Sequence, residues 1–182
     1  MRVAVADIRK SKGLSKKLVH TGKLEVPEIA LQGPVQMDLK LTNAGSRILV
    51  EGVVKAALSL ECSRCAETFE FPVRVEIDES FVPAESEEAR QAPRGSIDEV
   101  FTFEHETLEL VELLRQEFQA ALPMQAVCRV DCKGLCSGCG VNRNVESCSC
   151  QNEGMDPRWA ALLDLKDNKE VKEKRRKDRP SR

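Results

Sequence analysis

Between Cys128 and Cys150, six of the 23 residues are cysteine, and a segment of that kind has to fold around its thiols. Crowded thiols become disulfides, bind a metal, or stay reduced at the risk of oxidation. The chain opens on MRVAVADIRK, with no continuous apolar run leading to a small-residue cleavage site, so we read it as the N-terminus of a cytosolic protein. In a reducing compartment, eight cysteines argue for metal ligation over a disulfide framework. Zinc is the expected ion, because it prefers four tetrahedral ligands and takes thiolates in structural sites. Cys136-Ser-Gly-Cys139-Gly140 has a spacing that turns both sulfurs towards one ion, and Cys148 and Cys150 close the set across a short loop. Gly134, Gly138 and Gly140 supply the backbone freedom for the turns. Cys128 and Cys132 exceed a single site. They either replace a member of the first set or join Cys62-Ser-Arg-Cys65 in a second site, which requires the sheet to touch the cluster.

Other readings of the cysteines are weaker on context. Cys132, Cys136 and Cys139 have the C-x3-C-x2-C spacing of iron–sulfur sites that cleave S-adenosylmethionine, but that chemistry needs a large barrel around the cluster. A thioredoxin-like role for Cys62 and Cys65 requires a helix after the motif, whereas strand-like sequence continues on both sides. Their bland alternative is a pair of reduced thiols shaping a hairpin turn.

The remaining chain predicts an α+β fold, an antiparallel sheet or small open barrel covered by one helix. Aromatics are only 4% of residues, with one Trp and no Tyr, so the core rests on Val, Leu, Ile and Ala. Residues 1–9 alternate weakly, as a short strand would, and Lys10 to Lys23 read as a basic loop or short amphipathic segment. From Leu24 to Val82 the pattern is β: Val35, Met37, Leu39 and Leu41 alternate with polar residues, as do Phe69, Phe71, Val73, Val75 and Ile77. Asn43-Ala44-Gly45-Ser46 is a turn signal, and Gly52 inside a strand run marks a bulge or a close backbone approach. Residues 84–96 read as a flexible acidic linker. Val100, Phe101 and Phe103 suggest a further strand. Thr107 is the expected N-cap of a helix carrying Leu110, Val111, Leu114, Phe118 and Leu122, stopped by Pro123. On this reading residues 1–123 form a β-rich domain, 124–165 a Cys-rich module ending in a short helix after Asp156-Pro157, and 166–182 a disordered basic tail.

Charge is segregated. Residues 1–23 carry seven Lys or Arg against one acid, and residues 166–182 carry nine against four, although the whole chain is only −2. Basic ends around an acidic body can reach phosphates without wrapping nucleic acid. By charge density Lys174, Arg175, Arg176 and Lys177 are the candidate nucleic-acid contacts. We find no catalytic constellation. His20 and His105 have no credible triad partner nearby in sequence, and neither a phosphate loop nor a zinc-protease motif is present. No small-molecule substrate is evident, and no apolar run is long enough to span a membrane.

Leu60-Glu-Cys62-Ser-Arg-Cys65-Ala-Glu, the run Asp131-Cys132-Lys133-Gly134-Leu135-Cys136 with Cys139-Gly140, Asn142, Asn144 and Cys148-Ser-Cys150, and Asp156-Pro157-Arg158 before a Leu-rich helix resemble the YceD family over nearly the whole chain. The resemblance implies a bacterial cytoplasmic protein, with plastid relatives, involved in accumulation of large-subunit ribosomal RNA. Family genes often lie beside one for a large-subunit ribosomal protein. Some relatives lack the C-terminal cysteines, which implies that zinc supports local structure more than a shared activity. Ser137 stands where relatives often have Pro, and Arg143 where they often have Leu; neither change removes a ligand. The expectation is a non-enzymatic ribosome-assembly factor that contacts ribosomal RNA or a large-subunit ribosomal protein. Its rivals are an adaptor whose acidic β surface binds a basic ribosomal protein, and an RNA-processing or thiol-redox enzyme.

Overall fold

A computed structural model describes residues 1–91 and 100–150. The end of the acidic linker, the helix expected after Asp156-Pro157 and the tail with Lys174 to Lys177 fall on 92–99 and 151–182 and lie outside the described residues. The chain divides into two compact units, Met1–Lys133 and Gly134–Arg182.

The first unit is built on three long strands, β3 (Leu31–Asn43), β4 (Ile48–Glu61) and β5 (Thr68–Pro83), joined as antiparallel hairpins. They sit in an open five-stranded sheet whose outer members are β2 (Ser15–Gly22) and β6 (Phe101–Phe103). β6 runs parallel to β5; every other pairing in this sheet is antiparallel. A separate two-stranded ribbon pairs β1 (Arg2–Ala4) with β7 (Thr107–Glu109). The fold is thus α+β with a mostly antiparallel sheet, as the alternation predicts. Val35, Met37, Leu39 and Leu41 of β3 are buried while Gln36, Asp38 and Lys40 face outwards, which is the period-two placement of a one-sided sheet.

The helix α2 (Leu110–Ala120) covers the apolar face through Leu110, Leu113, Leu114 and Phe118, all buried in the same core as the sheet. It starts later than Thr107 suggests. Thr107 instead pairs with Ala4 in the ribbon, and Glu109 takes the N-cap position with no side-chain cap. A tertiary partner for the backbone of 107–109 outweighs the capping propensity of threonine. Two further expectations change. The basic segment before Lys23 forms strand β2, because β3 offers its backbone a partner and Lys16 and Lys17 suit an edge. The acidic linker opens with a short helix, α1 (Glu87–Gln91), where Ser86 Oγ accepts the Ala89 N–H at 3.2 Å and Glu87 and Glu88 occupy the first turn.

Asn43, at the end of β3, is the one buried polar residue of the core among the described residues. Its Nδ2 donates to the carbonyls of Ile8 at 3.0 Å and Ser11 at 3.1 Å, and its Oδ1 accepts the Gly45 N–H at 2.8 Å. The turn is therefore tied to the N-terminal segment by one amide. Asn43→Leu keeps the volume but removes three hydrogen bonds, so we expect a loss of about 3 kcal/mol in urea unfolding.

Candidate metal centres

Strands β4 and β5 end in a turn that holds Cys62 and Cys65. The Cys62 N–H donates to Glu67 O at 2.9 Å, and the Ala66 N–H donates back to Cys62 O at 2.9 Å. The second unit repeats this pattern: the Cys136 N–H donates to Val141 O at 2.8 Å, and the Gly140 N–H to Cys136 O at 2.8 Å. In both loops the residue after the second cysteine is left-handed, Ala66 at φ 59° and Gly140 at φ 76°. Glycine takes that conformation freely, whereas alanine gives up roughly 1–2 kcal/mol to hold it. The chain thus carries the same metal-knuckle backbone twice.

Each knuckle meets a second pair of thiols. The ligand atoms of Cys62, Cys65, Cys128 and Cys132 all lie within 4.8 Å of one another, and so do those of Cys136, Cys139, Cys148 and Cys150. A zinc–thiolate bond of about 2.3 Å sets the edge of a regular tetrahedron at about 3.8 Å, whereas a disulfide would bring sulfurs to about 2.05 Å. Cys65 Sγ to Cys128 Sγ is 3.8 Å and Cys62 Sγ to Cys132 Sγ is 3.9 Å. Both sets therefore have donors of the right chemistry and number for one tetrahedral ion.

The electrostatics agree. The backbone N–H groups of Cys128, Arg64 and Cys65 hold the Cys62 thiol down to about 6. Those of Cys139 and Gly138 do the same for Cys136, also to about 6. Cys128 is pushed up to about 12 by burial and by its neighbours Cys62 and Cys65. Cys150 rises to about 12 because Cys139 sits against it. Four thiols this close resist ionising together until a cation shares the site.

In the first set the partner segment is fixed by contacts of its own. Ser63 N–H donates to Ala126 O at 2.8 Å, the Cys128 N–H to Cys62 Sγ at 3.4 Å, and the Arg64 guanidinium to Cys132 O at 3.2 Å. Phe69 and Val127 pack against Cys62, Cys65 and Cys132. Sequence reasoning missed Arg64 and Ala66. Nothing in the spacing marks Arg64, since its role depends on where 128–132 returns; Ala66 is legible only by aligning the two C-x2-C loops. In the second set, Leu135 and Asn142 form a β-bridge, the Arg143 N–H donates to Gly134 O at 2.9 Å, and Asn142 Oδ1 accepts the Asn144 N–H at 3.0 Å. Cys132 lies in a different group from Cys136 and Cys139, so the C-x3-C-x2-C spacing does not form one site.

The family described as "Large ribosomal RNA subunit accumulation protein YceD" matches residues 50–166. An uncharacterized protein of Mycobacterium tuberculosis is 32% identical over 142 residues, covering 78% of this chain and 67% of its own length. One from Mycobacterium leprae is 29% identical, covering 78% of this chain and 64% of its own. A chloroplastic protein of Arabidopsis thaliana, named as a large ribosomal RNA subunit accumulation protein YCED homolog, is 25% identical over 163 residues, covering 77% of this chain and 51% of its own. No solved structure matches.

Proposed function

This chain belongs to the YceD family, and on that premise we propose that it is a non-enzymatic factor on which accumulation of large-subunit ribosomal RNA depends. The extent of the family match carries the reading: residues 50–166 take in β5, α2 and all eight cysteines. The chain spans about half the length of the plant relative that bears the functional name, so the role transferred is that of the shared region. The closed thiolate sets support a role without catalysis, since four protein ligands leave zinc no position for an activated water. Zinc suits the Cys136, Cys139, Cys148 and Cys150 set because sulfurs around a single ion sit closer than those around a cluster, where each binds its own iron. The setting we assign is the bacterial cytoplasm, where thiols stay reduced for metal. No helix among the described residues is long and apolar enough to cross a membrane. Depleting the chain from growing cells should lower the ratio of large- to small-subunit ribosomal RNA, with recovery on re-expression; an unchanged ratio would count against the role.

Direct contact with pre-ribosomal RNA runs through the basic tail. If Lys174, Arg175, Arg176 and Lys177 meet a single strand, deleting 166–182 should flatten the slope of log affinity against log salt by roughly 3. An unchanged slope would remove the tail from the interface. A second reading starts from the outer face of the sheet, where exposed Glu51 lies directly opposite exposed Asp78 on one side and Lys40 on the other, while Asp38 pairs with Lys17 and Glu76 with Arg74. The Glu51–Asp78 pair sets like charges in register, which costs stability, and a basic ribosomal protein would relieve it. Pull-down after RNase treatment separates the two: a retained ribosomal protein favours the adaptor.

A further inference from the structure

We propose that Cys62, Cys65, Cys128 and Cys132 form a second, separate zinc site, that this is the tightly retained one, and that the Cys136–Cys150 set gives up its ion first. The inference rests on the zinc reading above and extends it to the other four thiols.

The sulfurs of the first set stand at the separations a single tetrahedral ion requires. Two are brought by the hairpin end and two by the segment after α2, so the ligands come from distant parts of the chain. Their approach does not depend on the ion alone. The Ser63–Ala126 bond, the Arg64–Cys132 bond and the packing of Phe69 and Val127 against the buried cysteines hold both halves in place. A site whose ligands are already positioned loses little order when it closes. Cys62, Cys65 and Cys132 are buried, so a chelator must open this packing before it reaches the ion. In the second set Cys139 and Cys150 are exposed. There a competing ligand can displace thiolates one at a time from outside. Solvent access controls such exchange, and the two sets differ in it most.

The role that follows for the first ion is a clasp. It fastens the chain leaving the covering helix to the far end of the β4–β5 hairpin. The exposed ion is then the one that exchanges with cellular zinc buffers.

The experiment uses the full chain, purified without added metal. Elemental analysis should give two zinc ions per chain. With excess EDTA and a zinc-sensitive dye, one ion should leave in a fast phase and the other at least about tenfold more slowly. The double variant Cys139→Ser/Cys150→Ser should lose the fast phase and keep the slow one. Cadmium-113 NMR on the wild-type chain gives a readout that requires no first-set variant: two tetrathiolate signals, of which the double variant keeps one. A single zinc that vanishes in the double variant would overturn the second site and leave the earlier zinc reading intact. A single zinc that persists there would support the second site and overturn that earlier reading. No zinc overturns both, and two ions leaving in one phase overturn the order of retention.

Discussion

Gly52→Ala should lower the stability of the sheet unit by about 4 kcal/mol, seen as a fall in the urea midpoint with little change in slope. Gly52 sits in β4 between Leu39 of β3 and Ile77 of β5. Its φ is 148°, and a Cβ built there would lie 2.2 Å from the Asp38 carbonyl oxygen and 2.8 Å from Leu39 Cα. Both obstacles are backbone atoms of a paired strand, so no side-chain rotation relieves them. The strand must move, and with it the register that buries Met37, Leu39 and Leu41. Gly33 is the control. It has φ 79° but nothing within 4 Å of a built Cβ, so Gly33→Ala should cost only about 1 kcal/mol of conformational strain. Equal losses at the two positions would mean that conformation, not the close approach, governs Gly52.

The sheet was legible because its signal is local. Alternation along β3 and β5 states which residues face inwards, and Gly52 interrupts a run of Val and Leu that gains nothing from glycine unless something lies close. Two of the departures arise where a partner from elsewhere decides the structure. Ser15 to Gly22 carries only Leu18 and Val19 as large apolar residues, too few to announce a strand; β3 makes it one. Thr107 has the chemistry of a cap but is taken by Ala4. The cysteines divide in the same way. Cys136, Cys139, Cys148 and Cys150 lie close in sequence, so their grouping can be read from spacing. Cys128 and Cys132 stay ambiguous in sequence because their companions are more than sixty residues upstream, and only the fold brings hairpin and segment together.

Cys132→Ser tests that long-range grouping most severely. A serine hydroxyl is a poor zinc ligand, so the first set would keep three thiolates and an open edge. If four ligands share the roughly 10–16 kcal/mol of a structural zinc site evenly, losing one weakens zinc binding about a hundredfold to a thousandfold. We expect the variant to purify with one zinc fewer than the wild type. The sheet should survive, because its core of Val35, Leu39, Val54, Ile77 and Phe118 is complete without the metal. The loss should instead be local. Residues 124–133 contain no helix or strand, and the sulfurs join them to the hairpin together with a backbone bond from Ser63, the Arg64 guanidinium and the packing of Phe69 and Val127 against the cysteines. Amide hydrogen exchange should therefore show the Ser63 and Cys132 N–H groups losing protection while Val50 and Val54 keep theirs. Cys139→Ser provides the comparison: it should leave those two amides protected, since its thiol belongs to the other set. If both variants loosen Ser63 equally, the two sets do not act as independent sites; if neither does, the hydrogen bonds alone hold the segment and the first ion is no clasp.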